Sequence, residues 1–182
     1  GLADSSITTC YRLVHGEGDS LPGLIVDIYG DAAVMQCHSV GMFKSRERIA
    51  EALKKVLGTK LNAIYDKSSG TAPFKAGLDL QDGYLWKSDS YIADPCKQVL
   101  EYGHKFFVNW EEGQKTGFFL DQRENRFQVG KYAKDRNVLN LFCYTGGFSV
   151  YSLAGGARHV DSVDSSQVAI DMLDRNVGLN GF

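Results

Sequence analysis

Apolar residues in the first 110 positions fall into short runs separated by glycine and polar residues, a pattern typical of strands joined by turns. Five such runs predict strands, over residues 9–14, 24–29, 32–38, 62–66 and 103–110. Gly30-Asp31, between the second and third runs, is a hairpin signal. Apolar positions near a 3.6-residue spacing predict one helix over 42–57, which Gly58 ends. Residues 86–100 show no clear period and are predicted to be irregular.

The segment 138–164 carries the clearest pattern in the chain. An apolar run ends in a turn with two glycines, a helical apolar run follows, and a second strand-like run ends on Asp164. This order predicts a βαβ unit of the kind that binds a nucleoside-containing cofactor at its strand ends. Gly146 and Gly147 form the turn, where glycine allows positive φ and a close approach of a ligand. An acid at the end of the second strand can accept hydrogen bonds from ribose hydroxyls.

The spacing of the glycines in this turn distinguishes a dinucleotide from a nucleoside cofactor. The turn reads C-Y-T-G-G-F and lacks the G-x-G-x-x-G spacing that brings a pyrophosphate close to the backbone, so a dinucleotide is disfavoured. A nucleoside ligand without phosphate, such as S-adenosylmethionine, suits this turn better. An ordinary βαβ unit with a glycine-rich turn and no ligand is the alternative that this segment alone leaves open.

A second cluster, G-Q-K-T-G-F-F-L-D-Q-R-E-N-R, covers residues 113–126. It lacks the G-x-x-x-x-G-K-[ST] spacing of a phosphate loop. Asp121, followed three residues later by Glu124, resembles a capping box and predicts a helix over 122–132 with Asp121 as its cap. The same interpretation places Arg123 and Arg126 on a solvated face of this helix. It places the aromatic side chain of Phe127 in the core.

These two clusters, in this order and so close together, resemble the bacterial RlmI-like class of S-adenosylmethionine-dependent ribosomal RNA cytosine methyltransferases. Residues 11–27 (Y-R-L-V-H-G-E-G-D-S-L-P-G-L-I-V-D) and 65–69 (Y-D-K-S-S) also resemble the central domain of that family. The resemblance covers nearly the whole chain and is weakest over 70–101. It implies an α/β protein with a small α+β central domain, residues 1–112, followed by the start of a Rossmann-like methyltransferase domain, residues 113–182.

The resemblance also implies roles for individual residues. The first cofactor motif of the family, around the methionine part and the adenosine, is matched by Asn140, Phe142, Tyr144, Thr145, Gly146 and Gly147. Asp164 matches the acid that binds the ribose hydroxyls, and Ser165 follows it at the adenine edge. The segment that lies over the cofactor and leads toward the RNA is matched by Lys115, Thr116, Phe119, Asp121, Gln122 and Arg123. We therefore predict further cofactor contacts by Gln122 and Phe119. For Phe119 a buried core position is an equal alternative. The predicted RNA contacts are Lys115, Arg123 and Arg126.

Catalytic residues are expected outside this sequence. The family resembled has an N-terminal module of the PUA type, and an Asp-Pro-Pro motif and a catalytic cysteine in its C-terminal half. None of these is found between Gly1 and Phe182, so the sequence is expected to be a fragment that lacks both parts. Cytosine carbon-5 methylation needs a thiolate that attacks ring carbon 6 and a base that removes the carbon-5 proton. Cys143 lies in the cofactor turn, but packing at the strand end is the favoured role.

Composition predicts a cytoplasmic protein without a membrane segment, a disulfide framework or a metal site. Hydrophobic residues make up 43% of the chain, and no apolar run approaches the roughly 18 residues that cross a membrane. The four cysteines form no C-x-x-C pair and the four histidines are scattered, so reduced thiols are expected and no metal is implied. The net charge is −2, whereas residues 115–136 hold six basic and three acidic side chains. Such a face is compatible with RNA phosphate contacts and equally with a solvated helix.

Two classes of function remain open at this point. One is an enzyme that binds S-adenosylmethionine and forms 5-methylcytosine in large-subunit ribosomal RNA, with this chain alone inactive. The other is a noncatalytic RNA-binding or ribosome-assembly module, and a methyltransferase of another base is a third option. A strand at Val138 or Val160 with an open edge seeks a partner, which predicts either a poorly folded segment beyond Arg136 or a homodimer.

Overall fold

A computed structural model describes residues 5–73, 77–94 and 96–182. Nine strands and five α-helices are described there: β1 (Cys10–His15), β2 (Leu24–Tyr29), β3 (Ala32–Cys37), α1 (Val40–Lys44), α2 (Arg46–Leu57), β4 (Ala63–Asp66), β5 (Gly83–Lys87), β6 (Lys97–Glu101), β7 (His104–Val108), α3 (Arg123–Tyr132), β8 (Asn137–Leu141), α4 (Gly147–Ala154), β9 (His159–Val163) and α5 (Gln167–Leu179). Short 3-10 helices are Gly16–Asp19, Gly58–Lys60 and Leu120–Gln122.

Contacts within the chain group these elements into two compact units. The first contains Thr9–Lys97 and Val108–Phe118, and the second contains Ser6–Thr8, Gln98–Phe107 and Phe119–Phe182. The division predicted from the sequence, after residue 112, stays a prediction. The structure groups Val108–Phe118 with the first unit because this segment packs on the first unit's sheet, as described below.

A five-stranded sheet in the order β1-β2-β3-β4-β5 organises the first unit. All neighbours are antiparallel except β3 and β4, which are parallel because α1 and α2 form the connection between them. The predicted hairpin at Gly30-Asp31 is confirmed, since Tyr29 pairs with Ala32 across it. One face of the sheet packs with the helices around a buried core that includes Val26, Met35, Ala50, Leu53 and Ile64.

The opposite face of this sheet is covered in part by Val108–Phe118. The ring of Trp110 stacks on Tyr29 with 6.1 Å between centroids, and both side chains are buried. The Lys67 ammonium donates hydrogen bonds to the backbone carbonyls of Trp110 and Gly113. Because both faces are covered, every residue of β3 is buried, and its sequence reads as a continuous apolar run with one glutamine.

Two sequence expectations between residues 42 and 100 are corrected. The single helix predicted over 42–57 is two helices, α1 and α2, which meet at Ser45. The region predicted to be irregular over 86–100 contains the end of β5 and most of β6. Each strand has five residues, which hold too few apolar positions to establish a period. Strand β5 is an edge strand of the five-stranded sheet, and β6 pairs with β7.

The second unit confirms the predicted βαβ order over 138–164. Strands β8 and β9 are parallel, with Val138 opposite Val160, and α4 connects them. Helix α5 follows β9 and was not predicted from the sequence. Its N-cap is Ser166, whose hydroxyl accepts a hydrogen bond from the backbone N–H of Ala169.

The prediction for α3 is wrong in two respects: its N-cap residue, and which side chains are buried and which are exposed. Asp121 lies in the preceding 3-10 helix, and Gln122 is the N-cap without a side-chain capping bond. Phe127, predicted to be buried, is 38% exposed, whereas Arg126, predicted to be solvated, is 2% exposed. The face of α3 that carries Arg126 is buried because this side chain binds the buried carboxylate of Glu101.

None of the helices within the described ranges has the length and apolar character that crossing a bilayer requires. The same ranges contain no group of three or more histidine, cysteine or acidic side chains placed to hold a metal ion.

Candidate functional site

The loop between β8 and α4 has an unusual backbone. Phe142 (φ 57°), Tyr144 (φ 48°) and Gly146 (φ 81°) are all in the left-handed region. Such a conformation costs about 1–3 kcal/mol for a residue other than glycine, so the surrounding structure must hold it. The backbone N–H of Cys143 donates to Val163 O at 3.0 Å, and that of Gly146 donates to Cys143 O at 2.9 Å. These bonds fix the loop against the end of β9.

Asp164 follows β9 directly and joins this loop to the start of α5. Its Oδ2 accepts the backbone N–H of Tyr144 at 2.9 Å, and its Oδ1 accepts that of Ser166 at 3.0 Å. The backbone hydrogen bonds from Ser166 and then from Tyr144 lower the pKa of Asp164 below its ordinary value. The carboxylate is therefore charged at neutral pH and can accept a further hydrogen bond from a ligand.

Thr145, Gly146 and Gly147 connect the loop to α4. The Thr145 hydroxyl is buried and has no hydrogen-bond partner within the described ranges, while its carbonyl accepts the Asn176 side-chain amide at 2.9 Å. A Cβ on Gly146 would lie 2.6 Å from Leu173 Cγ. Glycine is therefore needed here for positive φ and for the packing of α5, in addition to the ligand approach predicted from the sequence.

Three aromatic side chains lie at or beside this loop. The Phe142 ring is 91% exposed. The rings of Tyr144 and Phe119 make an edge-to-face contact with 5.3 Å between centroids. Phe119 is half-buried, and this contact brings it to the loop that carries the glycines. Both alternatives for Phe119, core packing and a cofactor contact, are compatible with that position.

The other residues predicted from the cofactor motif have different surroundings. Ser165 is exposed directly after Asp164. The Gln122 side chain donates to Asp121 Oδ2 at 3.1 Å and accepts from Asn125 Nδ2 at 2.9 Å, so it is held at the start of α3.

Asn140 connects the three elements of the βαβ unit. Its side-chain amide donates to the Ser149 hydroxyl at 2.8 Å, and the Ser149 hydroxyl is 2.8 Å from that of Ser162. The chain of polar groups runs from β8 through α4 to β9. Sequence reasoning missed both serines, although each is a small polar residue within an apolar run, which is the signal that could have indicated them.

The two arginines predicted to contact RNA both donate to a buried carboxylate, and their RNA contacts stay a prediction. Arg126 Nε and Nη2 donate to the two oxygens of Glu101 at 2.8 and 2.7 Å, and Arg123 Nε donates at 3.3 Å. The Tyr151 hydroxyl donates to the same carboxylate at 3.2 Å. An RNA phosphate could pair with Arg126 only by displacing Glu101. Glu101 was missed in the sequence, where its only signal is one acid at the end of a short apolar run.

Lys115 and Thr116, from the same motif, belong to the first unit. The Thr116 hydroxyl is buried and donates to Asp27 Oδ2 at 2.6 Å, so its position is set by packing on the sheet. Lys115 is exposed, has a φ of 50°, and lines a cavity of about 820 Å³ in the first unit.

Cys143 is buried beneath the loop. Burial, followed by the nearby charge of Asp164, raises the pKa of its thiol. Because a nucleophilic cysteine needs its thiolate form, these surroundings favour the packing role expected from the sequence.

A parallel βαβ unit with its acid and glycine turn at the same strand ends places the chain among the α/β proteins that bind ligands at that edge. A family model described as S-adenosylmethionine-dependent methyltransferase matches residues 11–182. The chain therefore belongs to the S-adenosylmethionine-dependent methyltransferase family. The predicted methyltransferase class and its cofactor are confirmed at the level of this family.

Curated relatives agree with this assignment. A protein from Klebsiella pneumoniae named ribosomal RNA large subunit methyltransferase I is 41% identical over 181 residues, which are 100% of this chain and 44% of the relative. A protein of the same name from Pseudoalteromonas atlantica is 43% identical over 174 residues, 94% of this chain and 42% of the relative. The chain thus spans less than half the length of these relatives.

Solved structures confirm the predicted α/β fold class. A putative S-adenosylmethionine-dependent methyltransferase from Streptococcus mutans matches with a TM-score of 0.84 and 31% identity, over 98% of this chain and 44% of the other. A putative methyltransferase complexed with SAH matches with a TM-score of 0.83 and 31% identity, over the same shares of the two chains.

Proposed function

We propose that this chain forms the S-adenosylmethionine site of a methyltransferase that makes 5-methylcytosine in large-subunit ribosomal RNA. The observation that carries the proposal is the Asp164 carboxylate, charged and hydrogen-bonded to the glycine-containing loop at the ends of two parallel strands. The names of the relatives support ribosomal RNA as the substrate. The sequence resemblance supports carbon 5 of cytosine.

The groups at the loop fit a nucleoside cofactor. Asp164 is a charged acceptor for the ribose hydroxyls. The Thr145 hydroxyl is a buried polar group that a ligand could satisfy, and the exposed Phe142 ring offers apolar surface. We propose as cofactor contacts nine of the ten residues predicted from the sequence: Phe119, Gln122, Phe142, Tyr144, Thr145, Gly146, Gly147, Asp164 and Ser165. Asn140 acts as a positioning residue through Ser149.

Bound S-adenosylmethionine would supply an electrophilic methyl group. The residues of this chain bind and orient the cofactor. The backbone hydrogen bonds described above hold the loop at the strand ends. No nucleophile is assigned here, because the thiol of Cys143 is buried and its pKa is raised. The homodimer predicted from an open strand edge stays a prediction.

Calorimetric titration of S-adenosylmethionine into the chain tests the cofactor site. We expect binding by the wild type and loss of at least about ten-fold in affinity in Asp164→Ala, since the ribose loses its charged acceptor. Asp161→Ala removes an exposed acid from the same β9 strand and should leave the affinity within about two-fold. Equal binding by Asp164→Ala and the wild type would contradict the site.

The RNA product is tested separately in cells. Deletion of the gene should remove one 5-methylcytosine from large-subunit ribosomal RNA, as read by bisulfite sequencing, and a gene copy carrying Asp164→Ala should not restore it. An unchanged methylation map would reject the proposed product while leaving the cofactor result intact.

A further inference from the structure

The cavity in the first unit lies on the sheet face opposite α2. Arg12 and Asp27 pair across β1 and β2, and Gln36 lies opposite Ile25 on β3, so their side chains share one face by the alternation of strands. The core residues between them in sequence point to the helices. Side chains with polar or charged groups that line the cavity include Arg12, Gln36, His38, Lys67, Asp82 and Lys115.

Gln36 is the feature that points to a ligand. It is 8% exposed, it lines the cavity, and its side-chain amide makes no hydrogen bond to another residue of the described ranges. The amide opens into the cavity, so a bound ligand can supply the hydrogen bonds that the described residues do not. An amide carries two donors and an acceptor, the complement that a base edge requires.

The cations around Gln36 are held in place by other groups. Arg12 makes two hydrogen bonds to the buried Asp27 carboxylate, at 2.8 and 3.0 Å. Lys67 binds the carbonyls of Trp110 and Gly113 and so fixes the loop that presents Lys115. These contacts fix two cations of the cavity wall before any ligand binds, with the charge of Arg12 balanced by Asp27.

The remaining walls favour a ligand of mixed character over a bare anion. Leu24 and Ile25 supply apolar surface, and the carboxylates of Glu17 and Asp82 also line the cavity. A nucleotide combines a flat base, which suits the apolar wall and the amide, with a phosphate that suits the cations. Proteins that recognise single-stranded RNA bind unstacked bases by such edge contacts.

We propose that this cavity binds one unstacked nucleotide of a single-stranded RNA segment, with the Gln36 amide on the base edge and Lys115 at the phosphate. The inference rests on the proposed function, because it takes RNA as the substrate. The nucleotide held here would be a recognition contact, and Gln36 would determine which base is accepted.

Fluorescence anisotropy with labelled single-stranded hexaribonucleotides, one homopolymer of each base, tests the cavity on the 182-residue chain. We expect Lys115→Ala to weaken all four by at least about five-fold, and Gln36→Leu to weaken the preferred homopolymer by about five-fold and reduce the preference. Lys55→Ala removes the same charge from an exposed site on α2 and should change affinity by less than about two-fold.

Three results would overturn the inference. Equal affinities for the wild type and Gln36→Leu, with matching thermal melts, would exclude the cavity while leaving the cofactor titration unaffected. No binding of any hexaribonucleotide by the wild type, under conditions where S-adenosylmethionine binds, would exclude both the cavity and RNA recognition by this chain. A loss in Lys55→Ala equal to that in Lys115→Ala would indicate general charge attraction and would also contradict the proposal.

Discussion

Arg126 and Glu101 form a two-bond ion pair in which both side chains are almost wholly buried. Arg123 and Tyr151 add further donors to the same carboxylate. The single acid of β6 thus connects two residues of α3 with one of α4. A buried charge with all its partners is tolerated, whereas removal of one partner leaves the other charges desolvated and unpaired.

Replacement of Glu101 should therefore strongly lower the stability of the fold. We expect Glu101→Ala to lower the free energy of unfolding by about 3–5 kcal/mol, measured by urea denaturation, because two arginines lose their counter-charge. The matched control is Glu51→Ala, whose carboxylate pairs with Lys54 on the surface of α2 and whose loss should cost less than about 1 kcal/mol. Similar losses in the two variants would contradict the buried network.

Gly146 should not tolerate a side chain. Gly146→Ala places a Cβ against Leu173 and forces a left-handed alanine, so we expect a loss of about 1–3 kcal/mol in unfolding free energy. Gly178 has no neighbour within 4 Å of an added Cβ and lies in helix α5, so Gly178→Ala should be neutral or stabilising. If Leu173 causes part of the loss, adding Leu173→Ala to Gly146→Ala should cost less than the sum of the single changes.

The lowered pKa of Asp164 makes its contribution to stability depend on pH. The carboxylate stabilises the fold at pH values above its unfolded pKa of about 4, and the contribution is lost as pH falls through the lower folded pKa. The difference in melting temperature between the wild type and Asp164→Asn should therefore be largest near neutral pH and shrink toward about pH 2. Asp174→Asn, at an exposed position of α5, serves as the control. A difference that grows on acidification would contradict the hydrogen-bonding pattern.

The cysteines should differ in reactivity. Burial raises the pKa of Cys143 and raises that of Cys37 to about 11, whereas Cys96 is half-buried. With iodoacetamide at about pH 7.5, mass spectrometry should find Cys96 alkylated at least about ten-fold faster than Cys143. Preferential labelling of Cys143 would indicate an activated thiol and reopen its catalytic role.

The elements that the sequence predicted well have strong local signals. The βαβ unit follows from an apolar run, a Gly146-Gly147 turn and an acid, all within one stretch. The hairpin at Gly30-Asp31 likewise depends on neighbouring residues. Helix α5 was not predicted, although its cap Ser166 is a local signal of the same kind.

The parts that the sequence could not predict depend on distant partners. Arg126 has the sequence surroundings of a surface residue, and only Glu101, 25 positions earlier, explains its burial. Thr116 lies in a cofactor-like motif, yet its hydroxyl binds Asp27, 89 positions away. No local period records such pairs, so the faces of α3 and the grouping of Val108–Phe118 came from the structure alone.

The left-handed backbone at Phe142 puts stability in opposition to the proposed cofactor contact at this residue. An almost fully exposed aromatic ring gains little from folding, and its backbone would be less strained if the residue were glycine. Screens that select only for a higher melting temperature would therefore favour glycine at this position. Such a screen would select a protein with a higher melting temperature that lacks the aromatic ring at the loop proposed to bind the cofactor.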